Sequence, residues 1–301
     1  MRPKALGLQP YLFVAPALIV FGVFVLYPML ATLVLSLFSW NAMSPARLWI
    51  GGANYLELLH DKTFLVCLRN NGVWIAASLV VQLPLALLLA VAVNGSLRRH
   101  RLWRTAIFTP FVMPVVAAGL VWLIVYEPNF GMANAVVGAV MKFLHRGQET
   151  GAANPISWLG DRHLATLSII FVAWWKYTGF HMIVLLAGLQ AISDDYYQAA
   201  LIDGAGVWKA FRHITLPLMR RVMMVDALLI AVGCVKLFDL IWVMTGGGPY
   251  HATEVLATYM YYCGFTIDRM GYSAAVATVM VVLTLAATVV YFRLSGGEDD
   301  E

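Results

Sequence analysis

The chain has 301 residues, of which 61% are hydrophobic and 12% charged, with a mean hydropathy of +0.77 and a formal net charge of +4. About a quarter of the residues in a soluble domain are charged, so these proportions exclude an ordinary water-soluble enzyme. In so apolar a chain the small positive balance speaks for membrane topology, not nucleic-acid binding.

The first feature is a gap of 42 uncharged residues between Lys4 and Arg47. Its apolar part, about Tyr11 to Phe38, is too long for a signal-peptide core and has no small-residue cleavage site, so it reads as an anchor that stays. Further gaps of 28 residues (Arg69 to Arg98), 22 (Arg104 to Glu127) and 23 (Arg269 to Arg293) also exceed the roughly 20 residues needed to cross a bilayer. Two more runs, near Ala165 to Leu189 and Val222 to Thr245, are equally apolar but contain Lys176 in the first and Asp226, Lys236 and Asp239 in the second. The expectation is an all-α membrane protein with six transmembrane helices.

Between the spans, LRRHRLWR lies after the second and the segment Asn134 to Arg146 (NAVVGAVMKFLHR) lies after the third, where it reads as a short interfacial helix. The turn-rich NPISWLGD leads into the fourth. With both termini in the cytoplasm, 11 basic residues fall on the inner side and seven on the outer, in loops that are longer in total. The positive-inside rule favours that orientation. The acidic tail GEDDE reads as a solvated end, and no internal repeat is visible. Cys67, Cys234 and Cys263 lack the paired spacing of a disulfide framework or metal site.

The fourth and fifth spans are joined by a polar segment, QAALIDGAGVWKAFRHITLPLM, which is not built to sit in lipid. Ser193 is an N-cap candidate with Asp194 and Asp195 in the first turn behind it. Tyr197, Ala200 and Leu201 recur at helical spacing, and Gly204 and Gly206 break the helix. A second short helix, Val207 to His213, should lead to Leu216 and Pro217, where the chain re-enters the membrane.

The spacing Ala199-Ala200, Gly204, then Ile214-x-Leu216-Pro217 resembles the EAA loop in the permease subunits of binding-protein-dependent ABC importers, with Gln198 where that family carries Glu. DGAGVWKAFRHITLPL, FDLIWVMTGGGP, PYLFVAPALIVFGVFVLYPML and WKYTGFHMIVLLAGLQAI are similar to the carbohydrate branch, the maltose and glycerol-phosphate type. The resemblance implies a type I importer fold in a single permease domain over 1–301, with its core at about 66–293 and a coupling loop at about 191–221. It places Gln198, Ala199, Ala200, Asp203, Gly204 and Ala205, with Ile214, Leu216 and Pro217, on the cytoplasmic surface that docks an ATPase. The implied partners are an ABC ATPase dimer that carries ATP and Mg, a second permease in a heterodimer, and an extracytoplasmic solute-binding protein. This chain would bind no cofactor or metal, and it holds no Gly-x-x-x-x-Gly-Lys-Ser/Thr phosphate cradle.

Ionisable residues inside a membrane point to function. Lys236 and Asp239, three apart, would share a helix face and pair. With Lys176 they read either as a charge cluster that locks two spans or as the polar lining of a solute path. Trp175, Tyr177, Phe180 and His181 supply aromatic faces and hydrogen-bonding edges suited to a sugar. His181, with no carboxylate at i±3 or i±4, reads as a packing residue. Gly246, Gly247, Gly248 and Pro249 form a turn on the outer side, closely packed against a neighbouring surface or simply tight. The rivals are an ion-coupled transporter, which favours inverted repeats and broken helices, and a membrane enzyme, for which the seven histidines are too scattered.

Overall fold

The computed structural model describes residues 9–94, 98–144 and 155–295, with side chains from Phe13 and, in the second segment, from Arg101. Arg2, Lys4, Arg146 and the acidic tail lie outside the described residues. Chain contacts define two units, 1–61 with 259–281 and 62–258 with 282–301.

The first unit begins with α1 (Gln9–Phe21) and α2 (Tyr27–Leu35), joined by a π-helical turn into one rod. From Phe13 to Leu35 none of its most apolar stretch is buried, as befits a helix facing lipid on all sides. A two-stranded ribbon follows, β1 (Phe38–Ser39) antiparallel to β2 (Leu48–Trp49), and then α3 (Ala53–His60). Asn54 on α3 is buried and donates from Nδ2 to the carbonyls of Ser36 (2.7 Å) and Phe38 (3.1 Å), which satisfies backbone that the helix end leaves open. Asp61 accepts the hydroxyls of Tyr259 and Tyr272, and Arg269 forks onto Glu57 at 2.8 and 2.6 Å. The hydrogen bond to Glu57 raises the Arg269 pKa above its ordinary value.

The second unit runs through α4 (Lys62–Ala77), α5 (Leu83–Ala92), α6 (Arg98–Val112), α7 (Val115–Val125), α8 (Met132–Leu144), α9 (Leu164–Gln190), α10 (Asp194–Ile202), α11 (Val207–Ala210), α12 (Leu216–Val235) and α13 (Asp239–Met244). The expected interfacial helix after the third span is α8. The chain closes with α14 (Leu256–Tyr261) and α15 (Met270–Ser295). At the centre stands α9, with 61% of its most apolar stretch buried, packed by α5, α6 and α12. Leu185, Leu186 and Leu189 interlock with Ala86, Ala90 and Met219 there. Gly179 lets α6 approach, because a Cβ would fall inside the contact radius of the Ile107 carbonyl oxygen and 2.8 Å from Phe108 Cα.

Two of the six expected spans are interrupted. Among the described residues four helices are long and apolar enough to cross a membrane, namely 13–35, 62–92, 164–190 and 270–295. The third expected span is α6 and α7, bent by 96° at Met113–Pro114. Pro114 cannot continue the α6 hydrogen-bond ladder, and it biases Met113 away from helical geometry. The fifth is α12, whose helix stops at Lys236 before α13 resumes at Asp239. Lys236 and Asp239 therefore lie on opposite sides of a break, not on one helix face, and they form no ion pair with each other. Half-helices α7 and α13 pack together, with Val243 Cγ1 3.0 Å from where a Cβ on Gly119 would be.

Other prolines leave their helices unbroken. Four π-helical turns occur among the described residues, and three of them, Gly22–Leu26, Ser78–Gln82 and Phe211–Thr215, are followed two residues on by Pro28, Pro84 and Pro217. In an α-helix the proline ring collides with the carbonyl four residues back. Here that residue is Phe24, Val80 or His213, the middle of each π turn, where the wider coil moves the carbonyl aside. The expected short helix ending at His213 is thus part of one rod from Val207 to Val235, about 43 Å long at 1.5 Å per residue.

Asp161 starts α9: its Oδ1 accepts the N–H of His163 (2.7 Å) and Leu164 (3.0 Å). These two bonds, that of Leu164 foremost, hold its pKa below the usual carboxylate value. A depressed folded pKa contributes stability above the unfolded value that is lost as pH falls through the folded one. The exchange protection factors of the His163 and Leu164 amides, relative to an unstructured peptide at the same pH, should therefore be high at neutral pH and fall in acid, and Asp161→Ala should lower them at neutral pH. Gly179→Ala should destabilise the purified chain by about 1–3 kcal/mol through overpacking, read as a lowered unfolding midpoint. Gly138→Ala on α8, where nothing lies within 4 Å of the new methyl, should not.

Candidate functional site

The breaks and one π turn converge on a cleft of about 320 Å³ in the second unit. Trp74, Ser78 and Gln82 enter from α4 and the π turn behind it; Phe111 and Val115 flank the α6–α7 bend. Tyr177, Phe180 and His181 come from α9, and Lys236, Leu237, Phe238 and Asp239 from the break after α12. Irregular backbone inside a membrane is tolerated where protein buries it or where it lines a cavity, and these breaks do the second.

One wall is aromatic. Phe111 stacks on Phe180 with centroids 4.9 Å apart and planes at 21°, and Tyr177 meets Phe111 edge-on at 6.2 Å. Polar groups line the cleft as well: Trp74 is 1% exposed and its Nε1 has no partner, while Ser78 Oγ accepts from Trp174 Nε1 at 3.1 Å. A buried donor without a partner costs about 1–3 kcal/mol, and Trp74 presents one in the cleft wall. Behind His181 lies Asp226, fully buried, with Nδ1 and Oδ1 2.8 Å apart and Oδ2 unpartnered. The carboxylate absent from the helical neighbours of His181 is supplied by α12. No group of three or more His, Cys, Asp or Glu side chains could hold a metal ion among the described residues.

Of the expected pathway residues, Tyr177, Phe180, His181, Lys236 and Asp239 line the cleft, and Trp175 and Lys176 do not. Trp175 packs edge-on against Trp122 at 5.5 Å. Lys176 is buried, its Nζ taken up by the carbonyls of Pro110, Phe111 and Met113. Trp74, Ser78, Gln82 and Phe111 were not singled out by sequence reasoning. Ser78 and Gln82 did leave a signal, two polar residues four apart in an uncharged gap shortly before Pro84.

The loop residues form a separate surface of the same unit. Ser193 Oγ caps α10 through the Asp195 N–H at 3.2 Å, and Gly204 closes that helix at φ +72°, with Ala205 N–H returning to the Ala200 carbonyl at 2.8 Å. Ala200 is buried; Gln198, Ala199, Asp203, Gly204, Leu216 and Pro217 are exposed, while Ala205 and Ile214 are half-buried. Beside them Leu201, Ile202, Val207 and Trp208 stand 72, 86, 90 and 71% exposed. After α13 the turn Gly246-Gly247-Gly248-Pro249 takes φ +58° and +94° at its first two glycines and folds onto Thr253, which donates to the Gly248 carbonyl at 2.7 Å. Asn70 Nδ2 holds the far side of that turn through the carbonyls of Ala252 and Glu254.

A membrane chain with broken spans around a central cleft and a helical loop projecting between two spans has the build of a transport subunit. Residues 82–296 match the family described as the binding-protein-dependent transport system inner membrane component, and the chain belongs to that family. It is 37% identical over 286 residues to the probable ABC transporter permease protein YurN of Bacillus subtilis, covering 94% of each chain. It is 31% identical over 286 residues to the trehalose/maltose transport system permease protein MalF of Thermococcus litoralis, covering 94% of this chain and 92% of that one. A chain in the crystal structure of the bacterial alginate ABC transporter, in complex with alginate pentasaccharide-bound periplasmic protein, matches with a TM-score of 0.79 at 22% identity, covering 95% of each chain. At that identity the likeness speaks for the fold.

Removing one partner of a buried hydrogen bond leaves the other unsatisfied at a cost of about 1–3 kcal/mol. Asp226→Ala should lower the unfolding midpoint of the purified chain more than Asp226→Asn, which retains an acceptor for His181. The double variant His181→Ala with Asp226→Ala should recover part of the loss, a coupling that a double-mutant cycle measures.

Proposed function

We propose that this chain is one of two permease subunits of an ATP-driven importer for a carbohydrate or polyol, and that its central cleft is the solute route. The observation that carries this is the composition of the cleft walls. Aromatic faces and amide, hydroxyl, indole and imidazole groups line the same cleft, the chemistry that stacks on the C–H faces of a sugar and bonds its hydroxyl rim. Lys236 and Asp239 bring one charge of each sign, which suits a neutral solute. The trehalose/maltose function of one relative supports the same class. A second reading within the family, import of a glycerol phosphate, rests on Lys236, whose ammonium lines the cleft.

In this reading six membrane crossings place both termini in the cytoplasm. The segment 191–221 meets an ATPase dimer that holds ATP and Mg, while a solute-binding protein delivers from the other side. Ala199, Asp203 and Gly204 form the contact with the exposed apolar side chains beside them, and Gln198 contributes a neutral hydrogen bond in place of a carboxylate. The unbroken rod from Val207 to Val235 carries the motion, since its far end, at Ile230, Gly233 and Cys234, borders the cleft.

Two experiments test this. ATPase activity of the reconstituted complex should be stimulated by a binding protein loaded with one member of a panel of sugars, sugar alcohols and glycerol phosphates. Solute moved by this chain alone down an ion gradient would overturn the reading. A Cβ at Gly204 meets nothing within 4 Å but bears the strain of φ +72°, so Gly204→Trp should abolish ATPase capture in a pull-down, while Gly204→Ala, which bears the same strain without the bulk, and Gln198→Glu should retain it. Undiminished capture by Gly204→Trp would remove the docking assignment.

A further inference from the structure

Lys176 is 1% exposed, and no carboxylate pairs with it among the described residues. Its Nζ donates to the carbonyls of Pro110 and Phe111 at 3.3 Å each and of Met113 at 2.5 Å, and lies 5.5 Å from the centroid of the Tyr177 ring. An ammonium has three N–H donors, and all three are used. Pro110 and Phe111 lie in the last turn of α6, whose carbonyls carry the partial negative charge of a helix C-terminus and have no intrahelical partner, and Met113 lies in the bend itself. They are freed because Met113–Pro114 breaks the span by 96°.

The lysine also lies in register with the closest helix approach in this region. One turn along α9, Gly179 abuts Ile107 and Phe108 on α6, so the two helices touch at successive turns, at 179 against 107–108 and at 176 against 110–113. Phe111 and Val115, on the two sides of the bend, both line the cleft, and Phe111 stacks on Phe180 of α9.

We propose that Lys176 is a positioning residue of the solute cleft: by bonding the open end of α6 to α9 it fixes the α6–α7 angle and, through it, the Phe111–Phe180 wall. It touches no solute. The inference rests on the cleft being the solute route only for its effect on transport; the geometric part stands independently. Removing the ammonium leaves three carbonyls without donors in a dry interior, a cost the bend can relieve only by moving or by admitting water.

The test uses the assembled transporter in lipid nanodiscs. The native cysteines are buried, so spin labels go on cysteines introduced at the exposed positions Trp103 on α6 and Ile124 on α7. Electron–electron dipolar spectroscopy should give one narrow distance distribution for the native lysine and for Lys176→Arg, and a shifted or broadened one for Lys176→Met. In a second background, with Cys234, which also borders the cleft, replaced by Ala, Val115→Cys reports the cleft wall through its rate of reaction with a water-soluble methanethiosulfonate, which should change about tenfold or more with Lys176→Met and remain near native with Lys176→Arg. Should Lys176→Met fail to insert, Lys176→Gln, with two donors, provides the same comparison. An unchanged distribution and labelling rate in the variant lacking the ammonium would overturn the proposal. When both shift, import should show an about tenfold or greater rise in KM for the sugar that stimulates the ATPase, with Vmax retained. Shifted geometry with an unchanged KM sustains the pin and removes the cleft as solute route.

Discussion

Everything in this protein depends on the rule that no backbone polar group is left open to hydrocarbon. The chain observes it in two ways. Before Pro28, Pro84 and Pro217 a π turn widens the coil and the rod stays whole. Where the span does break, a side chain from a neighbouring helix takes up the freed carbonyls. Lys176 does this for the end of α6, and Asn71 Nδ2 does it for the Cys234 carbonyl near the end of α12 while its Oδ1 accepts the Leu256 N–H.

Because the breaks are satisfied, they can be used. Each turns backbone and side chains toward one space, and the cleft exists where the α6–α7 bend, the interruption after α12 and the Ser78–Gln82 turn meet. Small residues set the distances around it, with Gly179 admitting α6 to α9 and Gly119 admitting α13 to α7. Broken spans belonged to the expectation for an ion-coupled transporter. They occur here in a binding-protein-dependent permease, so a break marks a path through the membrane without identifying the energy that drives it.

The same economy links the loop to the cleft. Ala200 on α10 is buried, and beyond Gly204 Phe211 packs against the core of α5 and α9 to which Met219 belongs. Apolar side chains are left pointing outward at Leu201, Ile202, Val207 and Trp208. Soluble surfaces seldom expose such a run without a partner to cover it.

The sequence alone determined what depends on local spacing. Charge gaps located the apolar segments; Ser193, Asp194 and Gly204 marked the start and end of α10; and the pattern from Ala199 to Pro217 identified the family, which the match over 82–296 bears out. It also brought Tyr177, Phe180, His181, Lys236 and Asp239 forward as candidates, all of which reach the cleft. Partners distant in the chain were left to the tertiary structure. Asp226 lies 45 residues from His181, and Met113 lies 63 from Lys176, beyond the reach of any helical periodicity. Whether a proline breaks a span or is absorbed by it was decided there too: Pro114 and Pro217 are the same residue in apolar runs, and the difference lies in whether a neighbouring helix offers donors for the opened carbonyls or the coil widens to keep its own.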